Sequence, residues 1–331
     1  MSPLLRATVL ATALLGAGSL QADDTELYVR NASTTGVTAR ANVLFIIDTS
    51  GSMVTRVETQ APYQAGTTYS GCFDGDAVYF SANGTRPTCG NADRFPKALN
   101  RCAASADGLT FAGFYSDAAL GWNAGQQRWD SLVAGGDGRP VECRGDRGVD
   151  GDGSAARPFA ADGADGPWSS SSTQEPAWPV RYTLYDGNWL NWNESAPLVE
   201  RTRLQVVQST VETFARTQRG VNVGVMRFNS REGGSVAQAV LPLEDTRDAV
   251  VTAVNALSPS GSTPLSETLF EAAQYFAGAR VVYGNRDTRS VPASRVGGNA
   301  ASNTYLTPAS EPCSRNFIIL LSDGEPAEDG G

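Results

Sequence analysis

Asn42-Val43-Leu44-Phe45-Ile46-Ile47-Asp48-Thr49-Ser50-Gly51-Ser52 sets five consecutive apolar side chains directly before a cluster of oxygen-bearing ones. An apolar run without alternation, closed by a polar turn, reads as a strand buried on both faces, as in a parallel sheet covered by helices. Phe317-Ile318-Ile319-Leu320-Leu321 repeats the pattern and is followed by Ser322-Asp323-Gly324. A third polar segment, Gly261-Ser262-Thr263-Pro264, lies between them. In open α/β sheets, ligands bind in the crevice beyond the carboxyl ends of the strands. Asp48, Ser50, Ser52, Thr263 and Asp323 together offer five oxygens, a set that suits a hard divalent cation in octahedral oxygen coordination. Any one segment alone would pass as a Ser/Gly turn or a helix cap. Three in this order, two of them on apolar runs, carry the signal.

The DxSxS loop at 48–52, the later Thr263 and the last Asp323 resemble the metal-ion-dependent adhesion site of the von Willebrand factor A domain. That resemblance implies a Rossmann-like α/β fold, a mainly parallel sheet flanked by helices. It also implies that Ser50, Ser52 and Thr263 ligate Mg2+ (or Mn2+ or Ca2+) through hydroxyls, while Asp48 and Asp323 bind it directly or through water. A remaining coordination position would take a carboxylate from a protein partner.

Composition narrows the function. The 331 residues carry a net charge of −9 and no basic patch of the kind nucleic acid needs. There is no histidine. That removes Ser-His-Asp and Cys-His nucleophiles and any His-ligated zinc site, and catalysis is not expected. Arg6 precedes an apolar run from Ala7 to Ala17, then small residues and Ala22, which reads as a secretory signal peptide over 1–22. The run is too short for a membrane span, and no later segment reaches the ~20 apolar residues a span needs. The expected location is outside the cytoplasm, where disulfides form. Cys72, Cys89, Cys102 and Cys143 allow three pairings, and Cys313 is left over.

Residues 23–41 read as a short alternating strand and a linker, and 42–331 as the domain itself. Residues 55–196 are rich in Gly, Asp, Ser and Pro and read as an insertion, with a second at about 280–315. All six tryptophans, at 122, 129, 168, 178, 189 and 192, fall in the first insertion. A disordered linker is poor in aromatics, so this one is expected to fold around its rings and disulfides, and to border the metal site it directly follows. Helical patterning resumes after Ser195-Ala196-Pro197 with Leu204, Val207, Val211 and Phe214, followed by strands at 221–228 and 236–243 joined by a Gly-rich turn. Further helices are expected over 246–257 and from Pro264, the latter facing the core with Leu265, Leu269, Ala273 and Phe276. With Asp323 so near the last residue, the domain reads as C-terminally truncated, leaving an unpaired sheet edge.

Asp23-Asp24-Thr25-Glu26-Leu27-Tyr28, the stretch 42–53 and Gly187-Asn188-Trp189-Leu190-Asn191-Trp192, expected to precede a helix, resemble the N-terminal part of PilC/PilY-type type IV pilus proteins. Members join a secreted A-like domain with large insertions to a C-terminal β-propeller. The resemblance implies a bacterial protein exported to the periplasm, then the pilus tip or outer surface, acting in pilus assembly, twitching motility and adhesion. Minor pilins or a host or surface receptor are the implied partners. Two other readings stand beside it: a docking domain with a structural metal, and a secreted A domain unrelated to pili. Arg144-Gly145-Asp146 spells an integrin-recognition triplet, read as chance in a loop of that composition, and Asp150-Gly151-Asp152-Gly153 reads as a solvated acidic turn rather than a calcium loop.

Overall fold

The computed structural model describes residues 40–134, 138–146, 149, 159–170, 175–311 and 314–324. The expected signal peptide, the strand near 25–29, the acidic turn at 150–153 and Cys313 lie outside them. The strands in chain order are β1 (Ala41–Ile47), β2 (Arg56–Gln60), β3 (Ala77–Ser81), β4 (Arg94–Pro96), β5 (Phe114–Asn123), β6 (Arg128–Asp130), β7 (Val141–Cys143), β8 (Phe159–Ala160), β9 (Trp168–Ser169), β10 (Arg181–Asp186), β11 (Leu198–Thr202), β12 (Val221–Phe228), β13 (Gly234–Pro242) and β14 (Asn316–Leu321). The α-helices are α1 (Gly187–Ser195), α2 (Arg203–Thr217), α3 (Leu243–Asn255) and α4 (Leu265–Phe276). The chain is therefore α/β, with two principal sheets of different character.

The first sheet has the order β13-β12-β1-β14, with β1 parallel to both β12 and β14 and with β13 antiparallel to β12. Val43, Phe45 and Ile47 point to one face, where Leu204 and Val211 of α2 and Val250 and Val254 of α3 cover them. Leu44 and Ile46 point to the other, against Met226, Val236 and the Ala272 and Tyr275 side chains of α4. Helices on both faces explain why the run in β1 does not alternate, and each aliphatic side chain so buried contributes roughly 1.5–3 kcal/mol. Register is pinned at the strand starts by three asparagines. Asn222 Nδ2 donates to Asn42 Oδ1 at 2.7 Å, and Asn42 Nδ2 donates to Asn316 Oδ1 at 2.8 Å. A slip by one residue would break this amide row and turn both apolar faces inside out.

Local readings shift in four places. The 198–202 stretch is not the first turn of a helix but strand β11, paired antiparallel with β2. Helix α2 starts only at Arg203, because Thr202 and Gln205 form a reciprocal capping box there. The segment from Gly187 is itself helix α1, capped by Asp186, whose carboxylate accepts from Asn188 N and Trp189 N. Helix α3 begins at Leu243, which is fully buried. Helix α4 buries Thr268, Glu271, Ala272 and Tyr275, and leaves Ala273 exposed. The expected Leu265, Leu269 and Phe276 still pack against the core, and beside them a carboxylate, Glu271, is held inward by backbone N–H groups of the loop beyond.

Between β2 and β11 the chain builds a six-stranded antiparallel sheet, order β4-β3-β10-β5-β6 with β7 also paired to β5. Its core holds Val78, Phe80, Phe95, Leu109, Tyr182 and Leu184 around the disulfide Cys102–Cys143; a second disulfide joins Cys72 and Cys89. Trp122, Trp129 and Trp168 meet edge to face at 5.5 and 5.6 Å, and Trp189 stacks on Tyr185. The module leans along α2: Arg219 pairs with Asp107 at 3.1 Å, and the Arg216 guanidinium lies 4.8 Å from the Phe111 ring centre.

β14 differs from the expected doubly buried strand. Among the described residues no strand pairs with its outer edge, and Phe317, Ile318 and Ile319 are 47, 40 and 36% exposed. An apolar, unpaired edge is a template for self-association. Ile318→Lys is expected to reduce concentration-dependent light scattering of this chain while shifting the unfolding midpoint by no more than about 0.5 kcal/mol in stability terms. Unchanged scattering would show that association, if any, uses another surface.

Candidate metal centre

Three loops meet at the carboxyl ends of β1 and β14. Asp48 N donates to Leu321 O at 2.9 Å, which levels the two strand ends. The next turn folds back on itself: Ser50 N donates to Asp48 Oδ1 at 2.7 Å, and Thr49 Oγ1 donates to Phe228 O at 3.2 Å. The loop before α4 is stitched to this turn by Gly51 N to Gly261 O at 2.9 Å and Ser260 N to Thr49 O at 2.5 Å. Gly261 has φ +87°, and a Cβ there would lie 2.4 Å from Ser230 O, so both its conformation and its surroundings require glycine. The structure thus brings Asp48, Ser50, Ser52 and Asp323 into one hydrogen-bonded group and holds the Thr263 loop against it.

Within the group, Ser50 Oγ and Ser52 Oγ are 2.9 Å apart, and Ser52 Oγ donates to Asp323 Oδ1 at 2.8 Å. Ser322 Oγ donates to Asp48 Oδ2 at 2.7 Å. Neither hydroxyl suspected of capping does so. Ser50 makes no cap bond to the short 3-10 turn Gly51–Val54, and α4 is preceded by Pro264 without a side-chain cap. Thr263 is buried, and its hydroxyl makes no hydrogen bond among the described residues.

The chemistry of these donors fits a hard cation. All are carboxylate or hydroxyl oxygens, which favours Mg2+, Mn2+ or Ca2+ over zinc or copper. Asp48 has no exposed surface, and both recorded bonds to its carboxylate come from neutral donors. Among the described residues it has no ion-pair partner, yet buried carboxylates are normally paired or metal-bound. Asp323 does have a cation: Arg203 Nη1 of α2 donates to its Oδ2. Two cysteine-containing groups elsewhere, Cys72/Cys89 with Glu194 and Cys102/Cys143 with Asp146, offer no thiolate because the cysteines are paired as disulfides.

Four contributors escaped the sequence reading. Ser322 and Arg203 touch the group directly, and only the parallel pairing of β1 with β14 and the capping box at Thr202 bring them there. Ser230 and Asp287 act through the backbone. Ser230 O accepts from Ser262 N and Oγ, and Asp287 accepts from Ser230 N, so the loop carrying Thr263 rests on them. The Arg144-Gly145-Asp146 triplet is stapled at the end of β7: Asp146 Oδ2 accepts from Ala104 N at 3.2 Å, and Gly145 N donates to Asp117. Compared with protein-family models, curated proteins and solved structures, the chain matches none.

Proposed function

We propose that this chain is a metal-dependent protein-binding domain of the von Willebrand factor A kind, in an exported protein of the PilC/PilY type. It recognises a partner without catalysis, and supports pilus assembly, twitching and adhesion. The observation that carries the reading is Asp48: a fully buried carboxylate at the end of a central parallel strand, without a cationic partner among the described residues. Ser50, Ser52 and Asp323 are gathered beside it, and the loop that carries the buried Thr263 is hydrogen-bonded to the same turn. The parallel run β12-β1-β14 with helices on both faces supports the Rossmann-like assignment, and two disulfides support export. No helix among the described residues is long and apolar enough to cross a membrane. Asp48, Ser50, Ser52, Thr263 and Asp323 would hold Mg2+ or Mn2+, which supplies a positive centre for a partner carboxylate.

Calorimetric titration of Mg2+ or Mn2+ into the chain tests the site, with Asp48→Ala and Ser50→Ala alongside. Binding is expected in the parent chain and at least about tenfold weaker in both variants, since each loses one oxygen ligand. Equal affinity in all three would remove the site.

A docking role in assembly is the second reading, favoured by an open groove of about 600 Å³ between the inserted module and α2, lined by Tyr63, Phe111, Phe114, Trp192 and Phe214. A strain carrying Asp48→Ala separates the two. Normal pili with poor attachment would support adhesion through the metal, and loss of pili would support assembly.

A further inference from the structure

Arg203 is the cation already at the site, and its position is built rather than incidental. Its backbone N donates to Thr55 O at 3.0 Å, its predecessor Thr202 caps α2, and β11 ends at Thr202 while paired to β2. The ribbon through which the inserted module leaves and returns therefore delivers this guanidinium to Asp323. The carboxylate side chain is 10% exposed and the guanidinium side chain 38%, so the acid lies inside and the base at the rim. With Ser52 Oγ on Oδ1 and Arg203 on Oδ2, both oxygens of Asp323 are engaged by the chain itself. Asp48, one strand away, has no such partner among the described residues.

A carboxylate whose oxygen is held and neutralised by a guanidinium is a poorer ligand for a dication. We propose that Arg203 sets the affinity of the site by competing with the divalent cation for Asp323. Cation binding then requires Arg203 to leave Asp323, a movement that its exposed side chain allows. This rests on the reading of Asp48, Ser50, Ser52, Thr263 and Asp323 as the metal site. Because Arg203 sits at the root of the β2–β11 ribbon, a partner that displaces the ribbon would change cation affinity without touching a ligand.

The test is Mn2+ titration of the full chain by calorimetry, comparing the parent with Arg203→Gln, Arg203→Lys, Asp48→Ala and Asp323→Asn. Arg203→Gln is expected to bind Mn2+ about tenfold more tightly, and Arg203→Lys, which keeps the charge, to stay within about threefold of the parent. In an Asp323→Asn background, Arg203→Gln should change affinity by less than about twofold, because the contested group is gone. Equal or weaker binding by Arg203→Gln, with binding still lost in Asp48→Ala, would overturn the competition and leave the metal site standing. Unaltered binding in Asp48→Ala would overturn the site reading and this proposal with it. A measurement on the parent chain alone guards against a misfolded variant. With 15N-labelled arginine, the Arg203 Nε–H resonance should move toward the solvent-averaged position as Mg2+ saturates the site, and a resonance that stays in place overturns the proposal.

Discussion

Replacing Glu271 by alanine is expected to lower the free energy of unfolding by on the order of 4 kcal/mol, the largest effect of any single substitution outside the disulfides. The side chain is fully buried on α4, and its carboxylate accepts from Val282 N at 3.1 Å, Tyr283 N at 2.9 Å, Gly284 N at 2.9 Å and Tyr305 Oη at 2.7 Å. Removing it leaves three backbone donors without their acceptor in a dry site and the Tyr305 phenol with only Ser290 Oγ at 3.2 Å, and each buried unsatisfied group costs about 1–3 kcal/mol before relaxation. Tyr305 cannot compensate by ionising. Burial pushes its hydroxyl well above the usual tyrosine range, and that burial does not depend on Glu271. The buried Arg295 depends on the same fold of the loop, donating to Gly284 O at 3.1 Å, Asn285 Oδ1 at 2.7 Å and Ser302 O at 2.7 Å. Urea unfolding followed by tryptophan fluorescence and far-UV dichroism measures the loss, expected as a midpoint drop of about 2 M at an m-value near 2 kcal/mol/M. A drop below about 0.3 M would mean that the loop supplies other acceptors. The damage reaches the metal centre through Tyr283, whose carbonyl accepts from Asn229 Nδ2 at 3.0 Å. Asn229 immediately precedes Ser230, the residue on which the Thr263 loop rests, so Mn2+ affinity should fall in the same variant.

What the sequence made legible follows from how local each signal is. The doubly buried strand at 42–47 needs only an apolar run and a polar stop, and β1 has both. The donor group at its end was legible because DxSxS places three oxygens within five residues, and the fold brings Asp323 in through the strand beside it. Arg203 was not legible, because an arginine at a helix start is ordinary and only the ribbon geometry aims it at Asp323. The false helix start at Pro197 has the same cause. Ser195-Ala196-Pro197 does look like a cap, but cross-strand pairing of β11 with β2 overrides a local preference worth about 1 kcal/mol. On α4 the expected Leu265, Leu269 and Phe276 do pack against the core, but the fourth position, Ala273, is exposed and the fully buried Glu271 was not foreseen. Periodicity counts apolar side chains and has no term for a charge that finds four donors.

The disulfides separate by burial, and their removal should separate too. Cys102 and Cys143 lie 41 residues apart and are 3% and 0% exposed within the apolar core of the inserted sheet, whereas Cys72 and Cys89 lie 17 apart at the surface. By the chain-entropy relation the first closes a loop worth about 4 kcal/mol and the second about 3 kcal/mol. The larger difference is access, because thiol–disulfide exchange needs the attacking thiolate to reach sulfur. Graded dithiothreitol under native conditions is therefore expected to open Cys72–Cys89 first, with two more alkylated cysteines by mass spectrometry than in the unreduced chain and the fluorescence of the buried tryptophans unchanged. Cys102–Cys143 should react only as the module unfolds. Its double replacement, Cys102→Ala with Cys143→Ala, should cost more than the roughly 4 kcal/mol of the loop, since it also removes sulfur from the apolar cluster that holds Val78, Phe80 and Leu184. Replacing Cys72 and Cys89 should cost less, because no core contact is lost with the crosslink. If the two pairs are reduced at the same rate, the module opens as a whole before either bond is attacked, and the stability difference between the two double variants then becomes the only measure of what each bridge contributes.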